Sequence, residues 1–293
     1  MNELYAGVEL GGTKCIAILG RRPGEVVARE TVPTTTADET LGRLEEIESE
    51  WRTAHPFQAL GIASFGPLEL DRRSPNYGRI AATPKAGWEG APVKARLERA
   101  AGVPAAFDTD VNGAALAEIR WGSGRGFDDF AYVTVGTGVG VGLIVNGKPT
   151  RGFAHCELGH TRVVRLAEDE FAGSCPFHGD CVEGLAAGPS LKARAGTHDL
   201  PPDHPAWESV AWALAQLCHA IVCSAAPRAI AIGGGVVSGQ PHLLERVERM
   251  LVCSLNGYMR LPPGQYVRPP GLGNDAGPLG AIALAMSVRG ADQ

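Results

Sequence analysis

The sequence predicts a duplicated α/β fold in which two similar halves enclose an inter-domain cleft. Two observations support this fold class. A strand, a glycine turn and a second strand occur in each half, at residues 4–20 and again at 131–147. Strand and helix patterns are mixed along all 293 residues, and no low-complexity tract or long linker separates the halves. We therefore expect the halves to close over a shared cleft that binds a ligand.

The boundary between the two predicted domains lies near residue 112, where the strand pattern PAAFD ends in a polar turn. The first domain is predicted to comprise residues 1–112 and a closing helix at about 276–293. The second comprises residues 113–275 and carries a loop rich in cysteine and histidine. Further helices are predicted from the segments TLGRLEEIESEW, VNGAALAEIRW, AWESVAWALAQLCHAIVCSA and PHLLERVERMLVCSL.

The composition excludes several classes of protein. With 44% hydrophobic and 20% charged residues, the chain is expected to be soluble and globular. The net charge of −5 and the scattered lysines and arginines provide no positive field for nucleic acid. We find no secretory signal pattern, and no apolar run approaches the roughly 20 residues of a membrane helix, so we expect a cytoplasmic protein. Seven cysteines without an export signal indicate thiols or metal ligands rather than a disulfide framework.

The two glycine turns are candidate phosphate-binding loops. Each is followed by a strand, whereas a Rossmann or P-loop site opens a helix directly after its glycines. Glycine lets the main chain approach a polyphosphate closely, and the threonine in each turn adds a hydroxyl donor. A single glycine hairpin is usually only a turn, but the pair and a third cluster after the strand pattern RAIAI form a more specific pattern. The predicted nucleotide contacts are Gly11, Gly12, Thr13, Gly136, Thr137, Gly138, Gly233, Gly234 and Gly235.

A short loop contains a candidate zinc site. Cys175, His178 and Cys181 supply three ligands of the types that zinc prefers, and the upstream segment HCELGH supplies a fourth. By spacing alone, His155, Cys156 and His160 compete for the fourth position. Four protein ligands leave no open coordination position, so the predicted role of this zinc is structural.

Eight motifs occur in order from residue 7 to 285: GVELGGTK, TPKAGW, DTDVNGAALAE, VTVGTGVGVG, HCELGH, CPFHGDCVEGLAAGPS, IAIGGGV and DAGPLGAIALA. Their joint pattern resembles the ROK sugar kinases of the actin and hexokinase superfamily, and within them the fructokinase branch. The resemblance implies a duplicated ribonuclease-H-like fold and an enzyme that converts ATP and D-fructose to fructose 6-phosphate, with Mg²⁺ as cofactor. It also suggests a homodimer.

Other functions stay open from the sequence. Glucose, mannose or an N-acyl-hexosamine could replace fructose, because pocket shape depends on loops that the sequence does not describe. A sugar-responsive repressor is disfavoured, because Gly7 leaves no room for a preceding helix-turn-helix. A third alternative is a binding module that senses sugar without catalysis.

The resemblance assigns roles to the residues of the first half. Asp110 matches the catalytic base, although aspartate in this position also suits a helix N-cap. Glu9 is implied to hold a water of the Mg²⁺ shell. Lys14 is either a phosphate ligand or a solvated turn residue, and Asn112 is a second polar group for the sugar. Many relatives have asparagine where this chain has Thr109, which puts one sugar contact in doubt.

In the second half, the resemblance selects His160 as the fourth zinc ligand. It also implies that Glu157, His160 and Glu183 contact sugar hydroxyls, since a carboxylate can accept two directed hydrogen bonds. The segment GRIAATPKAGWEG is expected to be an irregular loop that borders the sugar site. Within it, Trp88 is predicted to be a core residue, and Thr83 and Lys85 are weaker candidates for sugar contact.

Overall fold

In the computed structural model, which describes residues 3–83, 85–197 and 199–288, the chain forms two units. The first unit contains the residues up to Arg125, the segment Thr150–His155 and the residues from Asn274 onward; the second contains Gly126–Pro149 and Cys156–Gly273. Pro84 of the TPKAGW motif and residues 289–293 of the predicted closing helix lie outside the described residues.

The first unit is built on a five-stranded sheet with the order β3-β2-β1-β4-β5. The strands β1, β2 and β3 pair antiparallel, whereas β4 and β5 extend the sheet from β1 in parallel. All residues of β4 are buried, as expected for a strand that is covered on both faces. The strands are β1 (Tyr5–Leu10), β2 (Lys14–Gly20), β3 (Val26–Pro33), β4 (Leu60–Ser64) and β5 (Ala105–Thr109).

Two helices cover one face of this sheet. The helix α1 (Ala37–Ala54) begins at the N-cap Thr36, whose side chain accepts a hydrogen bond from the Glu39 N–H. Its apolar residues recur at helical spacing and pack with α2 (Val93–Ala101) in the hydrophobic core of the unit.

Two further helices, α3 (Asp110–Trp121) and α8 (Ala276–Ser287), pack against each other in the first unit. Glycines permit this contact, because a β-carbon on Gly280 would overlap the backbone of Gly113. The packing of α3 on α8 also explains why the first unit continues to Arg125 instead of ending near residue 112. The predicted boundary falls within the first turn of α3.

The second unit repeats this design with a sheet in the order β10-β9-β6-β7-β8. Here β7 pairs antiparallel with both β6 and β8, and β9 and β10 extend the sheet from β6 in parallel. Read from β8, the order and directions match those of the first sheet from β3, as expected for a duplication. The strands are β6 (Phe130–Val135), β7 (Val139–Val145), β8 (Lys148–Pro149), β9 (Ile230–Gly233) and β10 (Val267–Arg268).

The helices of the second unit pack on its sheet. Within the described residues, one helix, α6 (Ala206–Ala225), is long and apolar enough to cross a membrane by length and composition alone, with 20 residues and a mean hydropathy of 1.2. Polar residues interrupt its sequence, AWESVAWALAQLCHAIVCSA, so it is not the continuous apolar run that the sequence expectation excluded. Half of this window is buried, and the buried residues belong to the hydrophobic core of the unit, which accounts for the apolar composition. The helices are α4 (Val182–Ala186), α5 (Gly188–Ala195), α6 (Ala206–Ala225) and α7 (Pro241–Leu255).

Candidate active site

The first glycine turn, Gly11–Thr13, joins β1 to β2 as predicted. It is closed by a hydrogen bond from the Gly11 N–H to the Lys14 carbonyl at 3.1 Å. Within the part of the chain that the structure describes, the N–H groups of Gly12 and Thr13 have no acceptor. Two consecutive N–H groups of this kind can bind an anion.

The carbonyl groups of the same turn are all occupied. Thr34 donates its hydroxyl to the Gly11 carbonyl at 2.8 Å and its N–H to the Thr13 carbonyl at 3.0 Å. The ammonium group of Lys85 donates to the Gly12 carbonyl at 2.5 Å. The turn is therefore held from its carbonyl side, and only its donors are left for a ligand.

The carboxyl group of Glu9, two residues before this turn, interacts electrostatically with that of Asp110. The pKa of Glu9 is raised to about 7, first by burial and then by the charge of the neighbouring Asp110, while Lys14 and Arg29 oppose this shift. The N-terminal turn of α8 lies against Glu9, because a β-carbon on Gly277 would overlap its carboxylate. A bound cation would favour the ionised form of Glu9, so these carboxyl groups could hold a hydrated metal ion.

Asp110 is the first residue of α3, and it is not the N-cap. That position belongs to Thr109, whose hydroxyl accepts the Asn112 N–H at 3.2 Å. The Asp110 carboxylate accepts the N–H of its neighbour Val111 at 2.9 Å and is half-buried. The alternative reading of Asp110 as a helix cap is therefore wrong.

A buried network supports the strand end that carries Asp110. The carboxylate of Asp108, which is 1% exposed, accepts the Thr109 N–H at 2.8 Å and the Asn112 side-chain amide at 2.7 Å. Its second oxygen pairs with the guanidinium of Arg151. Asn112 is itself only 3% exposed, so its geometry fits support of Asp108 better than contact with a sugar.

The second glycine turn, Gly136–Gly138, joins β6 to β7 as predicted. Its Gly136 N–H donates to the Gly138 carbonyl at 2.9 Å, and the Gly136 carbonyl accepts the Gly188 N–H at 2.8 Å. Among the described residues, no acceptor is found for the N–H groups of Thr137 and Gly138. The second turn thus repeats the paired donors of the first.

The third glycine cluster, Gly233–Gly235, lies next to the second turn. Gly234 has a φ of +92°, and a β-carbon there would lie 2.5 Å from the Val135 carbonyl oxygen. That same carbonyl accepts the Val236 N–H at 3.0 Å. Only glycine fits this left-handed, crowded position, which brings the cluster to the end of β6.

Four side chains of the second unit form a His/Cys cluster: His160, Cys175, His178 and Cys181. Their ligand atoms all lie within 4.8 Å of one another. The two imidazole Nδ1 atoms are 3.3 Å apart, and three Sγ to Nδ1 distances are 3.7–3.8 Å. The Zn–N and Zn–S bond lengths of a tetrahedral site give about 3.3 Å between nitrogens and about 3.6 Å between nitrogen and sulfur. The cluster could therefore hold a zinc ion.

The competitors for the fourth ligand position lie elsewhere. The imidazole Nε2 of His155 accepts the Leu68 N–H at 3.0 Å inside the first unit. Cys156 is outside the cluster, and burial followed by the charge of Glu157 raises the pKa of its thiol. The structure thus brings His160, and neither competitor, to the other three ligands.

The two glutamates predicted to contact sugar lie in segments that contact the start of β7. Glu183 is half-buried in α4, and its carboxylate accepts the Val139 N–H at 3.1 Å. Glu157 is exposed and precedes the 3₁₀ turn Leu158–His160. A β-carbon on Gly159 would overlap the Val139 carbonyl oxygen, so this turn packs directly on the strand.

The irregular segment around residue 88 differs in part from its prediction. Trp88 is fully buried and donates its indole N–H to the Thr35 carbonyl at 2.8 Å, which confirms its predicted core role. Lys85, a candidate sugar contact, reaches the first glycine turn instead. No sequence pattern indicates the pair of Asp108 and Arg151, which are 43 residues apart in the chain.

The chain matches the ROK family over residues 5–288, and it belongs to this family. It is 41% identical to a fructokinase of Zymomonas mobilis subsp. mobilis, with 98% of both chains covered. It is 38% identical to a fructokinase of Pediococcus pentosaceus, with 97% of this chain and 98% of that protein covered.

Solved structures are similar over the same length. The ROK hexokinase from Thermus thermophilus has a TM-score of 0.81 and 26% identity, covering 99% of this chain and 100% of its own. A ROK family glucokinase from Streptomyces griseus, in complex with glucose and AMPPNP, has a TM-score of 0.75 and 26% identity, covering 97% and 99%. The predicted family and the predicted duplicated α/β fold class are confirmed.

Proposed function

We propose that this chain is an ATP-dependent hexose kinase that phosphorylates D-fructose on its 6-hydroxyl group. One observation carries the proposal: two glycine turns in equivalent positions each present two consecutive N–H donors, and Glu9, two residues before the first turn, interacts with the carboxyl group of Asp110. Phosphoryl transfer needs bound phosphates, a divalent cation and a base for the acceptor hydroxyl. The similarity to two fructokinases supports fructose as the preferred hexose.

Asp110 is the proposed general base. Thr109 caps α3, so capping does not occupy the Asp110 carboxylate, and the Asp108 network fixes the strand end before it. A fixed carboxylate can accept the proton of the attacking sugar hydroxyl. Asn112 and Arg151 act through Asp108 in this proposal, and we assign them a positioning role.

The nucleotide and Mg²⁺ are assigned to the glycine turns and Glu9. Each turn binds a phosphate group of ATP through its two N–H donors, and Thr13 and Thr137 add their exposed hydroxyls. The adenosine lies against the backbone of Gly233–Gly235. Glu9 holds a water of the Mg²⁺ shell, for which a carboxylate beside a phosphate turn is suitable. Lys14, exposed on the first turn, adds positive charge.

The His/Cys cluster is the proposed site of a structural zinc ion. With four protein ligands, the ion has no open position for water or substrate. It would tie the 3₁₀ turn Leu158–His160 to the loop before α4, and these two segments carry Glu157 and Glu183. These glutamates, with His160, are the proposed ligands of the sugar hydroxyls.

Measurement of the zinc content tests this structural role. We expect one equivalent of zinc per chain, and we expect Cys175→Ser to lose the metal and to raise the KM for the sugar more than the KM for ATP. Cys223→Ser, which changes an exposed cysteine of α6, is the matched control and should keep the zinc. Fully active protein without zinc would contradict a structural zinc ion in the His/Cys cluster.

A panel of hexoses with coupled detection of ADP tests the substrate. We expect the highest kcat/KM for fructose, with a phosphate on the 6-hydroxyl of the product. Activity on glucose, mannose or an N-acyl-hexosamine with none on fructose would refute the substrate assignment and leave the kinase class intact.

The variant Asp110→Asn separates a kinase from a sugar-binding module. We expect turnover to fall about 10²- to 10⁴-fold while sugar binding is retained, because general-base assistance has this magnitude. Near-normal turnover would remove Asp110 from the mechanism. The cytoplasmic location, the homodimer, the absence of nucleic-acid partners and the cleft between the halves stay predictions.

A further inference from the structure

A lysine from a distant segment reaches the first glycine turn. Lys85 is 73 residues from Gly12 in the sequence, and its ammonium group lies 2.5 Å from the Gly12 carbonyl oxygen. It lies in the irregular segment between β4 and α2, and its own N–H donates to the Thr83 hydroxyl at 3.3 Å. The segment that carries Lys85 therefore places a positive charge at the turn.

The Lys85 side chain packs against the ring of Phe65, which a second aromatic ring holds in place. Its ammonium group lies 5.6 Å from the centre of the Phe65 ring, which is the range of a cation–π contact. Phe65 in turn packs edge-on against Trp88, with ring centres 5.0 Å apart, and Trp88 is fully buried. The position of the charge is thus fixed by the core of the first unit.

The chemistry of this arrangement suits a phosphoryl group better than a sugar hydroxyl. A lysine ammonium carries three N–H donors, and the Gly12 carbonyl takes one of them. The N–H groups of Gly12 and Thr13, without an acceptor among the described residues, belong to the same turn. A cation and two backbone donors together match an oxyanion with several acceptor atoms, whereas a neutral hydroxyl gains little from the charge.

We infer that Lys85 binds the phosphoryl group seated on the first glycine turn, and that it is not a sugar ligand. The inference rests on the proposed function, because it takes the turn to be a phosphate site. The phosphoryl group has two sources: the terminal phosphate of the nucleotide, or the phosphate of the phosphorylated hexose. The test distinguishes them.

The test compares two variants with a matched control in the full chain. Lys85→Met removes the charge and the donor, and Lys85→Gln keeps an N–H donor for the Gly12 carbonyl but removes the charge. The control is Lys94→Met, because Lys94 is also in the first unit and lies 5.9 Å from the Tyr77 ring centre, but it pairs with Glu98 on α2.

For both Lys85 variants we expect kcat/KM for ATP to fall about 10- to 100-fold, the range for a lost hydrogen bond to a charged group, with the KM for the hexose within about twofold. Lys94→Met should match the wild type. Calorimetric titrations with AMPPNP and with fructose 6-phosphate identify the source, since only the ligand that contacts Lys85 loses affinity.

Several outcomes would overturn the inference. Wild-type behaviour of Lys85→Gln would mean that the lysine only holds the turn, and an increase confined to the KM for the hexose would make it a sugar ligand. The titrations need no turnover, so they also decide the role of Lys85 if the wild-type chain proves inactive on every hexose. Inactivity of that kind would refute the proposed function alone.

Discussion

The two glycine turns occupy equivalent positions in the duplicated fold, but their surroundings differ. Each joins the central antiparallel pair of its sheet and leaves two consecutive N–H groups without an acceptor among the described residues. Charged side chains lie at or near the first turn: Lys85 contacts it, Lys14 follows it, and Glu9, which precedes it, interacts electrostatically with Asp110. At the second turn, the Gly136 carbonyl accepts the Gly188 N–H, and the Glu183 carboxylate accepts the Val139 N–H at the start of β7.

This difference indicates a division of roles between the units. A duplication supplies the same backbone anion site twice, since that site depends only on glycine and strand pairing. The ionisable groups to which we assign proton transfer and cation binding, Asp110 and Glu9, belong to the first unit. The second turn is linked instead to the segments that carry the His/Cys cluster, through contacts of Gly159 and Glu183 with Val139.

The largest expected effect concerns the third glycine cluster, which packs against Val135, the residue before the second turn. Gly234→Ala should lower the free energy of unfolding by about 3 kcal/mol or more, because φ is +92° and the β-carbon would meet the Val135 backbone. Gly235→Ala is the matched control: its β-carbon meets nothing within 4 Å, so we expect a change within about 0.5 kcal/mol. Urea unfolding measures both, and equal stability of the two variants would contradict the crowding.

A second pair of variants compares the turns directly. Gly12→Ala and Gly136→Ala add a β-carbon with nothing within 4 Å, so both proteins should fold normally. If phosphates approach the main chain at both turns, the KM for ATP should rise about 10- to 100-fold in each, as expected when hydrogen bonds to a charged group are lost. Steady-state kinetics and thermal unfolding give the two readouts. An unchanged KM in one variant would restrict nucleotide binding to the other turn.

The ionisable character of the first turn predicts a pH-dependent stability. The Glu9 pKa is about 7 in the folded chain against an ordinary value of 4.5, so the folded state keeps a proton that the unfolded state loses between these values. The free energy of unfolding should therefore fall as pH rises from about 4.5 to about 7, by about 1.4 kcal/mol per pH unit from this group. Glu9→Gln removes this contribution.

Urea titrations at a series of pH values measure this slope. Burial also raises the pKa of Glu48 to about 8, but its contribution is present in both proteins, and the difference between wild type and Glu9→Gln isolates Glu9. Glu50→Gln, an exposed change on α1, should keep the wild-type slope. Parallel curves for wild type and Glu9→Gln would show that Glu9 is not proton-linked to folding.

The smallest expected effect compares the two hydroxyls. Thr13→Val and Thr137→Val remove an exposed donor and keep the shape of the side chain. We expect the KM for ATP to rise about 2- to 10-fold in each, the range of one hydrogen bond between partners that also bind water. A much larger effect at one turn would mean that this hydroxyl has a further role.

The sequence was sufficient for features with a local pattern. The alternation around Gly11 and Gly136 predicts both hairpins because strand periodicity and turn chemistry are contained in a few residues. The spacing of Cys175, His178 and Cys181 predicts three members of the cluster for the same reason. The fourth could not be chosen by spacing: the contact of His155 with the Leu68 N–H, which removes that competitor, is a tertiary contact.

Features that depend on long-range contacts were missed or misassigned. The pair of Asp108 and Arg151 has no sequence pattern, because it joins β5 to a segment that follows β8. The position of Lys85 depends on the packing of Phe65 against Trp88. The predicted boundary near residue 112 failed to include α3, since the contact of Gly113 with Gly280 is also formed only in the folded chain.

The occupied carbonyl groups of the first turn have a consequence for affinity. Thr34 and Lys85 already bind every carbonyl of Gly11–Thr13, so the loop is held in its conformation before the proposed phosphate group binds. A ligand that meets a rigid loop loses little binding free energy to the entropy of ordering it. Thr34→Ala removes the hydroxyl that binds the Gly11 carbonyl. We therefore expect this variant to bind ATP more weakly, through faster dissociation, although Thr34 contacts only the carbonyl groups of the turn.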